Sequence, residues 1–100
     1  MSIEYLGTPE SPILPPVVAT LFDRLIQDAE LRSVRRTESE LGAIANDDQV
    51  NVAETMTVSI TPEEVYLAFH VATRDQRLRV LQVISRLLQD HGVACHLEEQ

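Results

Sequence analysis

Two runs of alternating apolar residues constrain this chain most. Val50, Val52, Met56, Val58 and Ile60 form the first and Val65, Leu67, Phe69 and Val71 the second, with Thr61-Pro62-Glu63-Glu64 between them. A period of two puts every second side chain on one face of a strand, so the pair predicts a hairpin with one buried face. Glu54 interrupts the apolar side, which places the start of regular pairing after it or a bend at it. Thr73-Arg74-Asp75-Gln76 follows at once and has the form of a capping box. The threonine oxygen and the glutamine side chain satisfy each other's unpaired backbone donors. Leu78, Leu81, Ile84 and Leu88, flanked by Val80, Val83 and Leu87, then carry a helix to Asp90, and His91-Gly92 stops it.

The rest of the chain is read outward from that block. Ile3 to Leu6 suits a short strand, and the prolines and glycine of residues 7–12 make a connector. Pro15-Pro16 sits where a helix begins, because proline at the first helical position loses an N–H that would be unpaired anyway. Val18, Leu21, Phe22, Leu25 and Ala29 continue at helical spacing, which predicts a helix over residues 16–32. Residues 33–51 show no clear period and read as a loop holding a brief strand or one helical turn. Val93, Cys95 and Leu97 alternate as a last strand. The order β-α-β-β-α-β predicts an α+β chain of ferredoxin-like plan, with two helices on one face of a four-stranded antiparallel sheet. One hundred residues, 44% hydrophobic and 24% charged, fit a single domain over residues 1–100.

Charge narrows the classes of function. Sixteen acids oppose eight bases for a net −8, and every base is arginine. Thr37 through Thr73 holds Glu38, Glu40, Asp47, Asp48, Glu54, Glu63 and Glu64 and no lysine or arginine. Nucleic acid and anionic membrane are poor partners for that field, and a basic protein is a good one. The lack of lysine points to a GC-rich bacterial genome. Cys95 is the sole cysteine, so no internal disulfide forms, and the start lacks the basic and apolar regions of a secretion signal. No run approaches the ~18 apolar residues of a membrane span. The expected compartment is the cytoplasm.

No catalytic, metal or cofactor motif stands out. Glycines 7, 42 and 92 are too scattered for a phosphate loop. Tyr66 and His70 on one strand and His96 on the last share the open sheet face in the four-stranded plan. Solvent-facing histidines are the simplest reading of them, since a metal wants a third ligand and Cys95 points the other way by alternation. That open face is also where a homodimer would form.

In size, acidity, absence of lysine and α/β plan the chain resembles the immunity proteins of bacterial toxin–immunity pairs, including those of contact-dependent growth inhibition. The resemblance implies a non-enzymatic protein that covers or distorts the active site of a basic nuclease toxin. Glu38, Glu40, Asp47, Asp48 and Glu54 would then mimic nucleic-acid phosphates, with Leu41 and Ile44 as apolar anchors. A second likeness is local. Glu64 to Ala72 with Leu78 to Leu88 is similar to the strand and helix near the end of phosphotransferase IIA domains. Those domains need a phosphorylatable histidine ahead of that strand, and no histidine precedes His70 here. The alternatives are an acidic homodimeric secretion chaperone or adaptor using the open sheet face, and a small regulatory domain or enzyme binding a metabolite through Tyr66, His70 and His96.

Overall fold

The computed structural model describes residues 2–47 and 54–100. Its elements run β1 (Ile3–Gly7), α1 (Pro15–Asp28), β2 (Leu31–Arg36), β3 (Glu40–Ala45), β4 (Met56–Thr61), β5 (Glu64–Phe69), α2 (Arg74–Asp90) and β6 (Glu98–Glu99). The six strands form one antiparallel sheet in the order β2-β3-β4-β5-β1-β6. The class is α+β, as expected, but the sheet departs from the four-stranded ferredoxin-like plan. Residues 31–45, which overlap the first part of the loop expected over 33–51, form the hairpin β2-β3 and extend the sheet on one side.

The hairpin β4-β5 is where the alternation put it. Met56, Val58 and Ile60 lie opposite Phe69, Leu67 and Val65, and all six are buried. Leu41 and Ala43 of β3 extend that apolar surface beside Val58 and Met56. Both helices cover this face. Val18, Leu21, Phe22 and Leu25 of α1 and Val80, Val83, Ile84, Leu87 and Leu88 of α2 close the core over it. Val71 and Leu78, which the pattern placed on the apolar side, stand exposed at the edges of that core. Val50 and Val52 lie outside the described residues.

The caps follow from the sequence. Pro15 and Pro16 open α1, and Thr73 and Gln76 form the reciprocal box at α2, with Gln76 N donating to Thr73 Oγ1 at 3.1 Å and Thr73 N to Gln76 Oε1 at 2.9 Å. The first helix stops at Asp28, short of residue 32, because Glu30 turns into the left-handed region at φ 56°. Asn46 N bonds Glu30 O at 2.9 Å and Arg79 Nε bonds Ala29 O at 3.1 Å, so β3 and α2 both hold that turn. The expected strand at Val93–Leu97 is also displaced. Those residues pack by their side chains, and only Glu98 and Glu99 pair with β1. No helix among the described residues is long and apolar enough to cross a membrane.

Candidate protein-binding surface

Strand direction sorts the acidic residues to different places. In β3, Leu41 points into the core and is wholly buried, so the fold itself uses the side chain expected to anchor a partner. Ile44 faces the opposite side of the sheet and is only 6% exposed. Neither is open to a contact. Asp47 leaves β3 at the far end of the strand and accepts from Arg79 Nη2 at 3.1 Å and Gln76 Nε2 at 3.3 Å. Its own backbone amide, ahead of those two partners, holds its carboxyl below the usual range. Asp48 lies outside the described residues.

Glu40 and Glu54 converge on one cation. Arg35 donates through Nε to Glu54 Oε1 at 3.0 Å and through Nη2 to Glu54 Oε2 at 3.2 Å, and its Nη1 pairs with Glu40. The carboxylate of Glu54 lies against Gly42, where a Cβ would crowd it and make the side chain shift. Thr57 donates its hydroxyl to Glu54 Oε2 at 3.2 Å. With that proton committed, His70 Nε2 is the donor to Thr57 Oγ1, a contact of 2.9 Å, and His70 Nδ1 stands 3.0 Å from the Ser2 hydroxyl. Tyr66 donates to Glu4 on the same face, and that bond raises its phenol above the ordinary value.

The outer sheet face is therefore a self-satisfied polar surface. A homodimer through it would have to strip water from an ion-paired network without an apolar gain. His96 does not join Tyr66 and His70, because it sits in the segment after α2, with Glu98 at 3.9 Å. Among the described residues no group of three histidines, cysteines or carboxylates is placed to hold a metal ion.

A hydrogen bond from Arg35 holds the Glu54 carboxyl below its usual range, with Thr57 and the nearby His70 adding to it against the opposing effect of burial. A lowered folded pKa stabilises above the unfolded value, about 4.3 for glutamate, and the benefit disappears as pH falls through the folded value. Arg35→Gln should therefore lower the urea midpoint at pH 7, and its deficit against wild type should shrink below about pH 4. A deficit that stays constant from pH 7 to 3 would show that Arg35 acts by packing alone.

Three other carboxylates of residues 37–73 lie at the opposite end. The β2-β3 turn carries Glu38, the β4-β5 turn carries Glu63, and Glu64 opens β5 beside it. Ile60 N bonds Ser39 O at 2.8 Å, which joins the two turns, and Ile13 N bonds Pro62 O at 3.2 Å, which brings the start of α1 against them. Among the described residues, none of Glu38, Glu63 and Glu64 makes an ion pair. The nearest arginines are taken: Arg35 by Glu40 and Glu54, and Arg36 by Asp23 at 2.7 Å and by the carbonyl of Ala19. Only Glu38 of the sequence-derived set stands at this end without a cation. Glu63 and Glu64, which lie between the two apolar runs, are missing from the sequence-derived contact set, and the hairpin register that brings them toward Glu38 is the signal that finds them.

No family model, curated protein or solved structure matches the chain.

Proposed function

We propose that this chain is a non-enzymatic binding protein that captures a basic protein through the end of its sheet where the β2-β3 and β4-β5 turns meet. The observation that carries this is that, among the described residues, Glu38, Glu63 and Glu64 have no ion-pair partner, while Glu40, Asp47 and Glu54 are held by the chain's own arginines. Carboxylates crowded without counter-charge repel one another, and a cationic partner relieves that repulsion. Field lines from a −8 protein speed the encounter, and apolar contact then slows escape. The specific form of this reading is a bacterial immunity protein acting in the cytoplasm on a basic nuclease toxin. The contact set moves with it, from Glu40, Leu41, Ile44, Asp47 and Glu54, which the fold occupies, to Glu38 with Glu63 and Glu64.

Co-expression with the toxin encoded beside its own gene is the test. Wild type should protect the cells, and Glu38→Lys/Glu63→Lys/Glu64→Lys should not, with its urea midpoint close to that of wild type because no internal pair is broken. Cells that die with wild type, or survive equally with the triple variant, would count against the reading.

A further inference from the structure

Between the two acidic turns and the start of α1 lies a cleft of about 140 Å³. Ile13, Val18 and Ile60 are its floor, Pro15 and Pro62 its walls, and Glu38 stands on its rim. Its volume is close to the ~150 Å³ of an apolar cavity that takes up a benzene-sized group. The three segments that form it are fixed by the Ile13–Pro62 and Ile60–Ser39 backbone bonds, so it exists before any partner arrives. Leu14, next to it in the chain, is 61% exposed, which extends the apolar ground at the mouth.

We propose that this cleft takes one aliphatic side chain from a partner segment in which that side chain is flanked by arginine or lysine. The proposal rests on the acidic-end reading above and adds the anchor to it. Charge selects the occupant. An apolar hollow with Glu38 on its rim and Glu63 in the turn that forms one wall favours a segment that is apolar at its centre and cationic on either side. A second copy of this chain would bring the same acids against them, and an acidic segment would be repelled. The anchor gives the complex its lifetime, since side chains seated in pockets at the centre of a contact carry most of the binding energy.

The experiment titrates the full chain with three synthetic pentapeptides at low salt, followed by amide chemical shifts. The first has leucine between two pairs of arginines, the second serine in place of the leucine, and the third leucine between two pairs of glutamates. The leucine–arginine peptide should bind about tenfold tighter than the serine one, the difference expected for partial burial of one leucine, with shifts at Ser39, Ile60 and Val18. Ser39→Phe, which plugs the cleft and leaves all three carboxylates, should abolish the preference, and Thr61→Phe should do the same from the other turn. Equal binding of the two arginine peptides by wild type overturns the anchor, while continued loss in the Glu38/Glu63/Glu64 charge-reversal variant leaves the acidic surface standing. Binding of the glutamate peptide as tight as that of its arginine counterpart overturns the charge selection. If no peptide binds and the charge reversal changes nothing in the protection assay, both readings fall.

Discussion

Replacing Thr55 by valine is expected to destabilise the fold by about 1–3 kcal/mol, the range for leaving a buried backbone donor without a partner. Thr55 is 1% exposed and stands one residue before β4. Its N–H donates to Ala43 O at 2.8 Å and its carbonyl accepts from His70 N at 2.9 Å, so its backbone already ties β3 to the end of β5. Its hydroxyl does the remaining job, accepting the amide of Ala45 at 3.0 Å where β3 has run past the start of β4. Valine has nearly the same shape and strand preference, so the backbone bonds persist and only that acceptor is lost. Thr55→Ser keeps the oxygen and should recover most of the difference. Urea unfolding with an unchanged slope is the measurement. A valine variant as stable as wild type would mean that the Ala45 amide finds another acceptor.

Thr55 also shows where the sequence was hard to read. The pattern on β4 and β5 was legible because large apolar residues alternate with polar ones on a strand pair whose one face is buried. Pattern fails on β2, an edge strand in which only Leu31 is buried and Arg32, Arg35 and Arg36 guard the open side. It fails on β3 for the opposite reason. Gly42, Ala43 and Ala45 are small, and Ile44 on the outer side is buried too, so no contrast between faces survives in the sequence. The C-terminal segment misleads differently. Val93, Cys95 and Leu97 alternate as a strand would, but they pack by side chains against β1 and the core without joining the ladder.

Charge was legible as a total and not as a distribution. Residues 37–73 hold no lysine or arginine, which makes their acids look unopposed in the sequence. Arg35 and Arg79, just before and just after that window, reach Glu40, Glu54 and Asp47 only once the strands and α2 are assembled. Pairs of this kind, part-exposed and bathed in salt, contribute little to stability. They decide which carboxylates remain unmatched, and so which surface keeps an attractive field. On this count the outer sheet face is electrostatically spent and the turn end is not, which is why the proposed contact sits with Glu38, Glu63 and Glu64.

The second large effect is expected from Gly7→Ala, at the end of β1. A methyl group there would stand 2.7 Å from both Cys95 Sγ and the carbonyl oxygen of His96, and 3.0 Å from Leu97 Cδ2. A thiol can rotate away, but a backbone oxygen moves only with its segment. That segment is held by Val93 N to Leu88 O at 2.8 Å, Glu10 N to Ala94 O at 2.9 Å and Gln100 N to Glu4 O at 2.9 Å. Overfilling a packed site of this kind costs about 1–3 kcal/mol. Because the strain falls on the last eight residues, Gly7→Ala should loosen hydrogen exchange at the Glu10 and Gln100 amides before the β4-β5 hairpin changes. Cys95 supplies an independent readout. Burial pushes its thiol above the ordinary value, so it should react slowly with a disulfide reagent in wild type and faster in the variant. Adding Cys95→Ala should restore only the part of the stability lost to the sulfur clash, because the His96 oxygen remains in the way. Full recovery in the double variant would assign the whole cost to sulfur, and unchanged thiol reactivity in Gly7→Ala would show that the C-terminal segment does not bear on β1 as closely as its packing requires.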